Sequence, residues 1–489
     1  MRIEKAELKD GGTIDYVLVD DPPAGAMKKT FFTPDKSQVV QFFHNESVGR
    51  DPKRLARLEA ILGKNNPTIP ESQGGAAGST EITADYFKKL FCWPTAIVTK
   101  PQLGIVAPAY PSNYYFQAGP WKGQEKEGEW FVGKTAGGKY FRDLMPDSER
   151  GPWINYFKLC ILMARSVRRL HQAGLAHSDL SPKNILIDPS NGLSVMIEID
   201  SLVVPQIFPP DVAGTRGYIA PEVLGTLHLP LRDPQRIDPS IRTDQHALAV
   251  LLYEYLLFRH PLRGPKTYPA PSGEEQDRLE MGPKALFIEH PKDHSNRPKS
   301  LGVTYDCLGP DLGELFRKAF VKGLHAPNER PSARDWERAL ITTWDSLFPC
   351  PNPSCTHKWF VFYNPKNPVC PFCGARVSGS IPLLRLRKES KPGQWTLDKT
   401  LVIYNGNCLF KWHSLDNVFP DENADRTPQG DCVFRDGRWF FINKNLLSLT
   451  SPGGNRVPPN VGVELKDGAQ IRLSQESHGR MAEVEIVRI

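Results

Sequence analysis

Residues 176–188, AHSDLSPKNILID, carry an aspartate and an asparagine five positions apart, Asp179 and Asn184, where a helix-like pattern gives way to a strand-like one. An acid and an amide this close supply what phosphoryl transfer from ATP requires: a carboxylate to orient the attacking hydroxyl and accept its proton, and an oxygen ligand for Mg²⁺. Asp200 follows Asn184 by sixteen residues, beyond the apolar run SVMIEI. It adds a hard carboxylate oxygen of the kind magnesium prefers. A second constellation, CPNPSCTHKWFVFYNPKNPVCPFCG, spaces Cys350, Cys355, Cys370 and Cys373 as Cys-x4-Cys, fourteen residues, then Cys-x2-Cys. Thiolate pairs on two short turns can close a tetrahedron around Zn²⁺, with sulfur at roughly 2.3 Å. Four protein ligands leave no open coordination position, so this site is assigned to stability and not to catalysis. His357 and His413 are read as ordinary histidines.

The elements that must position these groups change character along the chain. Up to about residue 47 the runs YVLV, TFF and SQVVQFF alternate as strands do, and RDPKRLARLEAILG has helical periodicity. NNPTIPESQGGAAGST is a surface loop by composition, and LFCWPTAIVTKPQLGIVAPAY returns to strand-like runs. From INYFKLCILMARSVRRLHQAGL to about residue 347 helices dominate: TDQHALAVLLYEYLLF, GPDLGELFRKAF and SARDWERALITTW. A long irregular stretch, residues 261–310, is expected to contain a short helix at 284–288. After residue 381 short alternating strands recur, LLRLR, TLVIY, DCVFRDGRWFFINK, VGVELKDGAQIRLS and AEVEIVRI, which predict a β-sandwich.

At 489 residues the chain exceeds what one hydrophobic core organises, so two to four domains are expected. Its 61 basic and 55 acidic residues give a net charge of +6 without any long Lys/Arg run, which argues against a nucleic-acid partner. The start MRIEKAELKDGG is not apolar, and stretches such as HALAVLLYEYLLF fall short of a bilayer span. No membrane association and a cytoplasmic location are therefore expected. The scattered Cys92, Cys160, Cys307, Cys408 and Cys432 read as buried thiols in a reducing compartment.

HSDLSPKN resembles the catalytic loop of protein kinases. That resemblance gives Asp179 the base role, Asn184 a metal role, and Asp200 the place of the carboxylate that holds Mg²⁺ against the ATP phosphates. GTRGYIAPE resembles the end of a kinase activation segment. It implies that Glu222 pairs with the distant Arg330 of NERPSARDW, and that Asp244 braces the catalytic loop. The resemblance implies a bilobal protein-kinase-like fold, with residues 1–110 as N-lobe and 111–347 as C-lobe; the cysteine spacing and the strand pattern add 348–378 as zinc ribbon and 381–489 as an all-β sandwich, in a multidomain α+β chain.

The kinase pattern breaks where a third-strand lysine would hold the phosphates, since this chain has QVVQFF, with Gln41 or a neighbour in that place. Lys28 and Lys29 follow GAM in DPPAGAMKKTFF instead, which resembles the with-no-lysine kinases, whose phosphate lysine comes from the glycine loop. Lys28 is the first candidate, Lys29 the second, Gly25 the single glycine near the turn, and Glu59 the helix carboxylate that would pair with the lysine. His177 is followed by Ser178, where many kinases carry an arginine that reads a phosphorylated activation loop. Among residues 200–222 the hydroxyls are Ser201, Thr215 and Tyr218. Activity gated by partners and not by phosphorylation of this segment is expected.

DGRWFFINKN followed by VELKDGAQIRL is similar to the second half of a forkhead-associated sandwich. Of the elements that bind phosphate in that family, the Gly-Arg is not found in TLVIYNGN, which has no arginine, and no Ser-x-x-His precedes Trp439 within this stretch of strands, so a protein-docking role is expected. The whole arrangement resembles the bacterial kinases of the tellurite-resistance-associated triad. This implies Ser/Thr phosphorylation with ATP and Mg²⁺, and two partners: a von Willebrand A-domain protein and a 2C-type phosphatase. The alternative is a pseudokinase scaffold that binds nucleotide or partners without phosphotransfer.

Overall fold

The computed structural model describes residues 2–25, 27–44, 52–133, 135–136, 139–204, 214–230 and 233–489. Two compact units result. One comprises Met1–Gly151, Asn155–Gly302 and Leu315–Glu337; the other Pro152–Ile154, Val303–Glu314 and Arg338–Ile489. Two pieces expected in the helical lobe, Val303–Glu314 and residues 338–347, thus pack with the C-terminal half of the chain.

The first unit begins with six antiparallel strands: β1 (Arg2–Leu8), β2 (Thr13–Leu18), β3 (Lys28–Phe32), β4 (Gln38–Phe43), β5 (Ala96–Lys100) and β6 (Gly104–Pro108). Their order across the sheet is β2-β1-β5-β6-β4-β3. Successive side chains of a strand face opposite ways. On one face Tyr16, Phe31 and Phe42 meet edge to face, with centroids 5.3–5.7 Å apart, over Ala6, Val98 and Val106. On the other, Phe43, Ile97 and Ile105 take up Leu58 of helix α1 (Pro52–Leu62). The expected first residues of that helix, 50 and 51, lie outside the described residues.

Two local expectations need correction. EITADYFK, passed over next to the glycine-rich loop, forms helix α2 (Glu81–Lys88), started by a capping box between Thr80 and Thr83. The helix expected at residues 284–288 is instead Gly273–Met281, capped by Ser272 accepting from the Glu275 amide at 3.1 Å. That helix is too polar to show an apolar stripe, whereas Phe287 and Ile288 are buried in non-helical backbone. The helices Trp153–Gln172 and Ile241–Leu257 follow the sequence pattern, and Tyr253, Phe287, Phe316, Phe320 and Trp336 form the aromatic centre of this part.

In the second unit two four-stranded antiparallel sheets enclose one core. Ser380–Lys391 is paired on one side with Gln394–Val402 and on the other with Met481–Arg488, which also pairs with Gln470–Arg472. The facing sheet runs Asn407–Leu409, Gly430–Arg435, Arg438–Asn443 and Gly462–Glu464. Asp436 and Gly437, both at positive φ (51° and 73°), make the two-residue hairpin between the middle strands, the geometry an Asp-Gly pair favours. Leu384, Leu386 and Leu401 from one sheet pack with Cys432, Phe441 and Val463 from the other.

Candidate active site

The catalytic-loop residues are set by the helix Trp153–Gln172 and by a buried acid beyond it. After the helix the chain turns at Gly174 (φ 74°), and Ala176 pairs with Val203. Asp244, in the first turn of Ile241–Leu257 and 1% exposed, accepts the His177 amide at 2.7 Å and the Ser178 amide at 3.1 Å. A carboxylate that fills two loop amides fixes the loop's direction, and here it holds Ser178 in the left-handed region at φ 64°. Asn184 donates through Nδ2 to the Asp179 carbonyl at 2.7 Å and to its Oδ2 at 3.0 Å. The Thr215 hydroxyl donates to Asp179 Oδ1 at 2.7 Å. Asp179 is thereby held by both oxygens, and the Asn184 amide oxygen is left to act as a ligand.

Period-two geometry then decides between the two lysines. Lys28, Thr30 and Phe32 share the face of β3 that lines a cleft of about 680 Å³, together with Gln41 and Val39 of β4. Lys29 points to the opposite face and is exposed. Lys28 is buried, with Nζ 2.5 Å from Asp200 Oδ1 and 3.0 Å from Glu198 Oε2. Burial alone would lower the ammonium's pKa, but the Asp200 and Glu198 carboxylates outweigh it and hold it above its ordinary value. Gly25 also lines the cleft, its amide donating to the Lys28 carbonyl at 3.0 Å. Ala26, in the GAM turn, lies outside the described residues.

Glu59 is not the partner of Lys28: it is paired with Lys9 and about half exposed. On α1 the buried stripe is Arg54, Arg57, Leu58 and Ile61, and residue 59 falls off it. Arg54 lines the cleft, its guanidinium 4.7 Å from the Phe43 ring centroid. Glu198, not among the residues expected from sequence, also lines the cleft. Its signal was a lone acid two positions before Asp200 in an apolar run. Asp179, Asn184 and Asp200 line the same cleft, so hard oxygen ligands and a cation converge where a magnesium nucleotide would lie. The volume is within the range of small-molecule sites.

Residues 149–337 match the protein kinase domain family. This chain carries a protein kinase domain. Over 384 residues, 70% of this chain and 53% of the relative, it is 23% identical to a probable serine/threonine-protein kinase of Corynebacterium efficiens. Over 97 residues, 20% of this chain and 8% of the relative, it is 35% identical to a serine/threonine-protein kinase of Saccharomyces cerevisiae. The chain thus spans about half the length of the first of these relatives and a small part of the second.

Within the kinase domain, Arg330 clamps Glu222 with two hydrogen bonds of 2.7 Å. The hydroxyls of residues 200–222 are already engaged: Ser201 donates to the Glu198 carbonyl at 3.0 Å, Thr215 to Asp179, and Tyr218 to the buried Glu254 at 2.5 Å. Burial pushes the Glu254 carboxyl up to about 7. Residues 205–213 lie outside the described residues and contain no hydroxyl. Intact mass and peptide mapping of active protein are expected to find no stoichiometric phosphate on Ser201, Thr215 or Tyr218. An activating phosphate on any of them would reverse this. Cys92, near Lys28 and Glu198, has its thiol pushed up to about 12 by burial, which disfavours the thiolate.

The four cysteines of the second unit bring their sulfur atoms within 4.8 Å of one another, with Cys350–Cys373 at 3.5 Å and Cys355–Cys370 at 4.0 Å. A tetrahedron with zinc–sulfur bonds of about 2.3 Å has edges of about 3.8 Å. The donor set therefore fits zinc. His357 lies flat on Phe372 with centroids 3.8 Å apart, and His413 Nε2 sits 3.2 Å from Asp345 Oδ1. Neither belongs to the sulfur cluster. No helix among the described residues is long and apolar enough to cross a membrane.

Proposed function

We propose that this chain is an ATP- and Mg²⁺-dependent protein serine/threonine kinase of the with-no-lysine type. The observation that carries this is the buried Lys28 ammonium in contact with Asp200, in a cleft also lined by Asp179 and Asn184. Asp179 orients the substrate hydroxyl and takes its proton, Asn184 and Asp200 hold magnesium, and Lys28 reaches the nucleotide phosphates. When bound, magnesium neutralises charge on the phosphate oxygens. A cation needs only to reach those oxygens, whichever strand it starts from. Lys29 and Glu59 have no part in it.

The sequence resemblance to the tellurite-resistance-associated triad supports two partners, a von Willebrand A-domain protein and a 2C-type phosphatase, and a cytoplasmic setting. The forkhead-associated likeness of residues 381–489 supports a protein-docking sandwich, since the phosphate-binding motifs of that family are lacking.

The test is labelled phosphate transfer from MgATP together with thermal shift, comparing the parent with Lys28→Ala and Lys29→Ala. Lys28→Ala is expected to lose most of the MgATP-induced shift and lower transfer by about a hundredfold, while Lys29→Ala behaves as the parent. An equal MgATP shift in the parent and Lys28→Ala removes Lys28 from the site. MgATP binding without transfer by the parent favours the scaffold.

A further inference from the structure

The two carboxylates on Lys28 differ in what they do when the cleft fills. Asp200 is 5% exposed at its side chain and is the assigned metal ligand; Glu198 is 39% exposed and has no such duty. Asp200, holding a divalent ion, would attract the ammonium at 2.5 Å less strongly. Lys28, a long, flexible side chain directed at phosphates, would then rely on a second anion to keep it aimed. Helix α1 does not supply one: it turns Arg54 and Arg57 inward, and its Glu59 is held by Lys9.

We propose that Glu198 is the positioning residue for Lys28, keeping its ammonium directed at the nucleotide once Asp200 is taken by magnesium. Its backbone agrees with a specialised role. Glu198 sits at φ 58°, ψ 39°, in the left-handed region that a non-glycine residue rarely occupies, and Ser201 donates to its carbonyl at 3.0 Å. That conformation brings its carboxylate to 3.0 Å from Nζ although only one residue separates it from Asp200. Lys28, Asp200 and Glu198 form one ion cluster. With magnesium on Asp200, the Glu198 contact would be the one retained.

This inference rests on the phosphotransferase reading, and a mutant cycle on the full chain separates the two. The variants are Glu198→Gln, Lys28→Ala and their combination, with Glu59→Gln as control. Glu198→Gln is expected to lower kcat/KM for ATP by about tenfold at an unchanged melting temperature, and Glu198→Asp to recover part of the loss. The double variant is expected to be no worse than Lys28→Ala alone, because Glu198 acts only through Lys28. Multiplicative losses, or a loss in Glu59→Gln matching that in Glu198→Gln, overturn the proposal. If the parent binds MgATP without transferring phosphate, the phosphotransferase reading fails. The same cycle on ATP dissociation constants then decides the role of Glu198, with non-additive losses supporting it and multiplicative ones overturning it.

Discussion

Asp179→Asn is expected to lower phosphate transfer from ATP by about a hundred- to ten-thousandfold, the usual contribution of a positioned general base, while MgATP still raises the melting temperature as in the parent. The substitution keeps the size and planarity of the side chain and removes the proton acceptor. Its neighbours tolerate it: the Thr215 hydroxyl, now donating to Oδ1 at 2.7 Å, can rotate to accept, and Asn184 keeps its 2.7 Å bond to the backbone carbonyl. The loop itself is held elsewhere, by Asp244 on the His177 and Ser178 amides. A loss of transfer therefore reports chemistry and not collapse of the loop. Single-turnover transfer of labelled phosphate, read beside thermal shift, separates the two. Equal transfer by the parent and Asp179→Asn would remove the base role from Asp179.

What the sequence made legible and what it hid follow a physical division. HSDLSPKN, Asp200 and GTRGYIAPE were readable because loop chemistry is local: the side chains that must meet are carried on short segments of fixed spacing. The four cysteines were readable for the same reason, since turn-borne thiolates need only reach one another. Lys28 over Lys29 was decidable only once β3 was placed, because a strand sends neighbouring residues to opposite faces and the sequence does not say which face is the cleft.

Glu59 illustrates the harder case. A helix carboxylate finds its partner only if the helix turns it inward, and the buried stripe through Arg54, Leu58 and Ile61 turns it outward to Lys9. Glu198 was hidden because its left-handed backbone interrupts the alternation of the run it sits in. The helix Gly273–Met281 escaped because it is held by polar caps and the Glu275–Arg278 pair at 2.6 Å, not by an apolar face.

Removal of the zinc ion that the four-cysteine cluster is proposed to hold should have the largest effect on stability. The four sulfur atoms lie within 4.8 Å of one another. As thiolates they repel, and a shared cation offsets that repulsion. A structural zinc site is worth about 10–16 kcal/mol of apparent binding free energy near neutral pH, against about 5–15 kcal/mol for the whole stability of a typical domain. The effect is not confined to the ribbon. Cys355 and Cys370 share an apolar cluster with Phe360, Phe362 and Val377, and also with Ile381, Leu383 and Val402 of the first sandwich sheet. A metal-free ribbon would uncover that end of the sheet. Elemental analysis is expected to find one zinc per chain, and a strong chelator, or Cys370→Ser, to lower the melting temperature of the second unit by well over 10 °C. A chelated protein that melts where the parent does would show that apolar packing alone holds the four cysteines together. The ribbon would then owe its shape to Phe360 and Phe362, and the thiols would be free for other chemistry.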